Sequence, residues 1–202
     1  MPRKPPAVAL FYSLTGQFDR RGSNVLFATT PSNPPAGREL LREVEASRRL
    51  GYAERPLGPP GTSGIVTAYD MYRAVLREQP YPVKGLVTFG TDVLMGNGDP
   101  LRGKAALEAL DSYVHVDMFL NPSGAFADLV LPAATCWERE ALCASLGLRA
   151  QTATWAQFRE PVIPPLYESR SDLAIIFDLA VRLGLGEQFF QGDLEARWRP
   201  PG

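Results

Sequence analysis

The chain has 202 residues, 45 % of them hydrophobic and 21 % charged, with a formal net charge of −1. That length suffices for one domain with a real core and a small appendage, and the charge balance excludes a polybasic surface for nucleic acid or anionic membrane. Two cysteines and a lone histidine, His115, cannot furnish a zinc set or an iron–sulfur run, and no stretch approaches the roughly 18 apolar residues of a membrane span.

In chain order, Ala7–Thr15 reads as a short apolar helix ended by Gly16, a residue suited to the position after a helix. Gln17–Asn33 has loop composition. Arg38–Leu50 places Leu40, Leu41, Val44 and Leu50 on one side of a helix closed by Gly51. Arg55–Gly64, rich in proline and glycine, marks a linker and an internal boundary. Thr67–Glu78 is a helix with Thr67 as N-cap, ended by Pro80-Tyr-Pro82. Val83–Phe89 is an apolar run suited to a doubly buried strand. Gly90–Pro100 is a glycine-rich loop, Leu101–Leu110 a helix and Tyr113–Val116 a strand. Ser123–Asp128 is a short helix, and Leu129–Leu131 a strand ended by Pro132. Ser171–Leu183 is the strongest helix, stopped by Gly184. Strands alternating with helices imply an α/β fold: an open, mainly parallel sheet with helices on both faces, plus a helical N-terminal appendage. The expected organisation is 1–64 for the appendage, 65–190 for the sheet domain, and 191–202 for a truncated connection, since Arg197-Trp-Arg-Pro-Pro-Gly202 ends without turn logic.

Four polar clusters follow predicted strands or open helices, where α/β sheets bind ligands. Gly90, Thr91 and Asp92 begin a loop whose glycines allow close backbone approach to a ligand; an ordinary connecting loop explains them as well. Asp117 at a strand end can accept from a ribose diol or from guanine N–H groups, or can cap the following turn; Asn121 and Ser123 extend the same cluster or cap that helix. In Thr135–Glu140, Glu138 and Glu140 lie two apart on a charged helix start and do not face each other as an acid–base pair would require. Arg139 suits diphosphate. Ser171-Asp172 opens the last helix, an N-cap that can also touch a ligand. The cysteines are expected as buried or half-buried free thiols, and His115, mid-strand, as a structural or sheet-edge residue rather than a base.

Together, Pro80–Asp92, Val116-Asp-Met-Phe119, Ala127-Asp-Leu-Val-Leu-Pro-Ala-Ala-Thr135, Glu138 and Ser171-Asp172 resemble the molybdopterin oxidoreductase (dimethyl-sulfoxide-reductase) family. Its members carry bis(molybdopterin guanine dinucleotide) molybdenum. The opening, with Leu-Thr-Gly16 and Arg20-Arg-Gly22, is similar too, so the resemblance spans about residues 7 to 190. It implies the family's Rossmann-like domain holding one pterin guanine dinucleotide, with contacts at Gly90, Thr91, Asp92, Val116, Asp117, Asn121, Arg139 and Asp172. Asp92 stands where the family usually has asparagine, Arg139 replaces lysine, and Pro122 departs from the usual loop. The family's N-terminal [4Fe–4S] cysteines, metal-ligating residue and C-terminal β-rich domain have no counterpart here, and no residue is expected to be catalytic or to bind a metal directly.

The resulting expectation is an internal segment of a molybdenum or tungsten oxidoreductase serving oxygen-atom transfer or formate-type dehydrogenation. Its partners would be the remainder of the same polypeptide and an iron–sulfur electron-transfer subunit, without nucleic acid or direct membrane contact, in the cytoplasm, or in the periplasm given an upstream export signal. The alternatives are a non-catalytic structural subunit that has lost the pterin and, without its glycine fingerprint, a nicotinamide-binding dehydrogenase domain.

Overall fold

A computed structural model of the chain describes residues 10–17, 20–23, 43–55, 65–144 and 156–198. It gathers into two compact units, the first comprising Met1–Met71, Asn97–Asp99 and Ala141–Arg159, the second Tyr72–Gly96, Pro100–Glu140 and Glu160–Gly202.

In the first unit residues 10–14 are helical, followed by Gly16 at φ 66°. Of the expected Arg38–Leu50 helix, residues 43–50 are described, and only α1 (Glu43–Ser47) is helical there, with 48–50 in turn and bend; of the expected linker only Arg55 is described. Thr67 caps α2 (Ala68–Arg77), its hydroxyl accepting from Asp70 N at 3.3 Å and donating to the Asp70 carboxylate. Asp70 is buried and ion-paired with Arg55. Gly51, at φ 75°, passes so close that a Cβ there would stand 2.7 Å from Asp70 Cγ. Gly51→Ala is therefore expected to lose about 1–3 kcal/mol from left-handed strain and overlap, read as a lower urea midpoint; an unchanged midpoint would show that the pair yields. The hairpin of β4 (Ala141–Ala144) and antiparallel β5 (Ala156–Arg159) was not expected from sequence.

The second unit is built on β1 (Gly85–Phe89), β2 (Ser112–Asp117) and β3 (Leu129–Pro132), a parallel sheet with β2 central. Parallel strands require crossovers. α3 (Val93–Gly96), inside the stretch expected to be pure loop, and α4 (Pro100–Glu108) join β1 to β2. The expected Ser123 helix is a single 3-10 turn, Gly124–Phe126. Ser171 caps α5 (Asp172–Arg182), accepting from Ala174 N at 3.2 Å, an interaction worth about 1 kcal/mol. Two 3-10 segments, Glu187–Gly192 and Leu194–Trp198, follow.

Alternation along β2 gives the two sheet faces different chemistry. Tyr113 and His115 lie on one face, with Thr88 of β1 in register opposite His115, and the 3-10 turn packs there through Gly124. Val87, Val114, Leu129 and Leu131 look out on the other, where α5 closes an apolar cavity of about 470 Å³ through Ile175 and Leu179. The cover on that face is partial, since Leu129 remains 51 % exposed. Glu140 ends one stretch of this unit and Glu160 begins the next; Val162 and Ile163 both donate back to Trp137 O, at 2.8 and 3.2 Å.

Candidate functional site

Because the strands are parallel, their C-terminal ends share one edge. Arg170 extends it: Arg170 N donates to Pro132 O at 3.1 Å, Ala134 N to Arg170 O at 2.8 Å, and Ala133 and Arg170 form a parallel bridge. Four chain segments thus leave the same edge: Gly90–Asp92, Asp117–Asn121, Ala133–Glu140 and Ser171–Asp172. The eight predicted contact residues fall on it in two groups.

Gly90, Thr91, Asp92, Val116, Asp117 and Asn121 gather at the ends of β1 and β2. Val116 is 0 % exposed and its carbonyl takes Gly90 N at 2.8 Å, so it builds the edge from below. Asn121 spends its amide on bracing: Nδ2 donates to Asp117 Oδ2 at 3.1 Å and Thr91 O at 3.3 Å, and Oδ1 accepts from Gly124 N at 2.9 Å. Asp92 Oδ1 accepts from Leu94 N, Met95 N and the Ser123 hydroxyl at 3.1, 3.2 and 2.5 Å. Every partner there is a donor, so an aspartate serves where an amide's donor would be idle. Burial pushes its carboxyl up, and the bonds from Ser123, Met95 and Leu94, with the nearby His115 ring, overcome that and hold it below its usual range. Ser123 therefore supports Asp92 rather than capping its own turn. Asp117 is 12 % exposed at its side chain, with one acceptor bond on each oxygen: Phe119 N to Oδ1 at 3.1 Å and Asn121 to Oδ2. Each oxygen keeps a lone pair for a ligand donor.

The second group lies where β3 gives way to α5. Thr135–Glu140 is a turn, not the helix start expected from its charges, because the Glu138 side chain folds inward. Its carboxylate is buried and accepts from Thr135 N at 2.6 Å and Leu166 N at 2.8 Å. These two bonds hold its pKa below the usual glutamate range against the opposing effect of burial. The turn sets Arg139 on a cavity of about 230 Å³ that Ser171, Asp172 and Leu173 also line, so the structure brings Arg139 and Asp172 together. Arg139 has no hydrogen bond or ion pair among the described residues. Cys136, expected at least half-buried, is an exposed free thiol within this turn, and no metal-binding cluster occurs among the described residues.

The lowered pKa of Glu138 fixes a sign. A carboxylate depressed on folding contributes stability that is fully present above its unfolded value, 4.5, and is lost as pH falls through that value toward the folded one. Asp92 and Asp178, also depressed, act the same way from 3.8 downward. The urea midpoint should therefore hold between about pH 7 and 5, then drop below about 4.5, with a shallower drop in Glu138→Gln. A midpoint that rises on acidification would contradict this assignment.

What the edge offers a ligand is asymmetric. Gly90, at φ 54°, has nothing within 4 Å of where a Cβ would stand, so a ligand can approach the backbone there. An acceptor, Asp117, sits at one end and Arg139, a cation unpaired among the described residues, at the other.

A family model described as molybdopterin oxidoreductase matches residues 15–182. The chain belongs to the molybdopterin oxidoreductase family. Among its relatives, a probable oxidoreductase, YjgC, of Bacillus subtilis is 40 % identical over 87 % of this chain and 16 % of its own. The dimethyl sulfoxide/trimethylamine N-oxide reductase of Rhodobacter capsulatus is 34 % identical over 57 % of this chain and 14 % of its own. The solved acetylene hydratase from Pelobacter acetylenicus shares the fold with TM-score 0.69 and 23 % identity, covering 81 % of this chain and 25 % of its own. The chain spans 14–16 % of the length of the two curated relatives. Membership of the molybdopterin oxidoreductase family implies a molybdenum–pterin cofactor, and the edge fits one: open backbone at Gly90, a carboxylate with acceptor capacity, and a guanidinium beside a cavity. No described helix is long and apolar enough to cross a membrane.

Proposed function

We propose that the C-terminal edge of this sheet cradles one pterin guanine dinucleotide of a molybdenum or tungsten oxidoreductase of which this chain is a segment. The observation that carries this reading is the pairing of Asp117, with a free lone pair on each oxygen, and Arg139, with no partner among the described residues, along one sheet edge. Asp117 takes the N–H donors of the guanine or the hydroxyls of its ribose. Arg139, whose planar fork suits phosphate oxygens, holds the diphosphate, with Asp172 beside it accepting from a hydroxyl. Asp92 and Asn121 keep the two loops in place and Gly90 lets the cofactor approach. When bound, the metal–pterin group supplies two-electron redox chemistry; these residues bind and orient it.

Relatives named reductase and hydratase share this region, so the reaction type is set by residues other than these. A second reading, a structural subunit that has lost the pterin, draws support from Asp92 and Asn121, whose side chains are engaged in internal bonds. Acid denaturation of the protein purified from its source separates the two. Release of guanine nucleotide together with molybdenum or tungsten is the expected result; a native protein yielding neither overturns the cofactor reading in favour of the structural one.

A further inference from the structure

Beneath Asp117 lies a buried polar group that the cofactor reading does not use. Residues 113, 115 and 117 point to one face of β2 by strand alternation, and Thr88 of β1 lies opposite His115. The His115 ring is 0 % exposed. Its Nδ1 stands 2.9 Å from both the Tyr113 hydroxyl and the Thr88 hydroxyl, which are themselves 3.2 Å apart. Its Nε2 has no hydrogen-bond partner among the described residues and faces Asp117 Oδ2 at 3.7 Å. Gly124 packs against the Cδ2–Nε2 edge of the ring, leaving no room for even a methyl group.

We infer that His115 is a positioning residue for Asp117, carrying its proton on Nε2 and directing it at the carboxylate while Nδ1 accepts from one of the two hydroxyls, which can itself accept from the other. This rests on Asp117 being a ligand contact. The choice of nitrogen follows from what each faces. With the proton on Nδ1 alone, the Nε2 lone pair would be buried against an anionic oxygen, a repulsion with nothing to offset it. With the proton on Nε2, the same contact is attractive, and Nδ1 meets a hydroxyl able to donate. Burial holds the Tyr113 phenol above its usual range against the Thr88 hydrogen bond, with the charges of Asp92 and Asp117 adding to the rise, so Tyr113 keeps its hydroxyl proton to give. At 3.7 Å the Nε2 contact is longer than a hydrogen bond; contacts of this kind tighten when a ligand draws the carboxylate into place. The consequence is that Oδ2 is held by Nε2 and Asn121, which leaves Oδ1, with its one bond from Phe119 N, as the oxygen most open to a ligand donor. Inner partners of this sort are what orient a ligand-contacting group.

His115 is the only histidine of these 202 residues, and in the intact protein its ring nitrogens are assigned by the resonances that vanish in His115→Gln. In the ¹⁵N-labelled full chain, long-range proton–nitrogen correlation is expected to show Nε2 protonated. Asp117→Asn should move the Nε2 resonance and Tyr113→Phe, which keeps the ring's shape, should move Nδ1. A ring protonated on Nδ1 alone, or an Nε2 resonance unmoved by Asp117→Asn, overturns the inference. In the cofactor-loaded protein, His115→Phe should lower retained guanine nucleotide about tenfold, with partial rescue by His115→Gln, whose amide can donate from the same place. Loss of retention in Asp117→Ala but not in His115→Phe overturns the positioning role alone. Unchanged retention in both overturns the cofactor reading, while the nitrogen spectrum still decides which way the ring points.

Discussion

Replacing Gly124 by alanine is expected to lower the thermal midpoint by about 3–5 °C, and by no more than about 10 °C. The new Cβ would stand 2.8 Å from His115 Cδ2 and 3.2 Å from Leu120 Cδ1. Flexible neighbours would give way, but the imidazole is fully buried and held by two hydroxyls at 2.9 Å. Overpacking of this kind costs about 1–3 kcal/mol, whereas the lower chain entropy of alanine returns only about 0.4–1 kcal/mol, so overlap wins. At about 2–4 °C per kcal/mol for a chain of this length, the shift is readily measured. A midpoint equal to that of the parent chain would mean that the ring is less firmly held than its hydrogen bonds indicate.

Arg139→Ala should behave in the opposite way, sparing the fold and damaging the site. Arg139 has no described partner to lose, so the urea midpoint should stay within about 0.5 kcal/mol of the parent. A guanidinium bound to phosphate contributes about 1.5–3 kcal/mol as a charge-assisted hydrogen bond, so retained guanine nucleotide in the loaded protein should fall about 10- to 100-fold. Lysine should restore part of this, as a point charge without the planar fork. Unaltered retention and molybdenum content in Arg139→Ala would remove this residue from the site; a collapsed midpoint would make its role structural.

The three parallel strands and the last helix were legible because each is a short apolar run between strong turn signals, or an amphipathic run with a clear cap and stop. β4 and β5 were not. Each has four residues, too few for alternation to stand out, and they pair across a separation that no local signal encodes. α3, with four residues inside a glycine-rich stretch, was hidden in the same way. At the site, sequence pointed to the edge residues but left their duties open. Only geometry separates Asp92 and Asn121, whose side chains brace the loops, from Asp117 and Arg139, which keep capacity for a ligand. Glu138 looked like a surface charge because its donors, Thr135 N and Leu166 N, are backbone groups, one of them 28 residues away. The pattern Tyr113-x-His115-x-Asp117 was visible as a period of two on a strand, and it is the signal that would have drawn His115 into the site.

The return of the chain to Trp137 after the β4–β5 excursion has a practical meaning. A segment whose two ends are pinned together by backbone hydrogen bonds forms a closed stem, and what the stem carries can change length at little entropic cost, about 0.6 kcal/mol for each doubling. A reporter inserted between residues 141 and 159 is therefore expected to cost the second unit little stability.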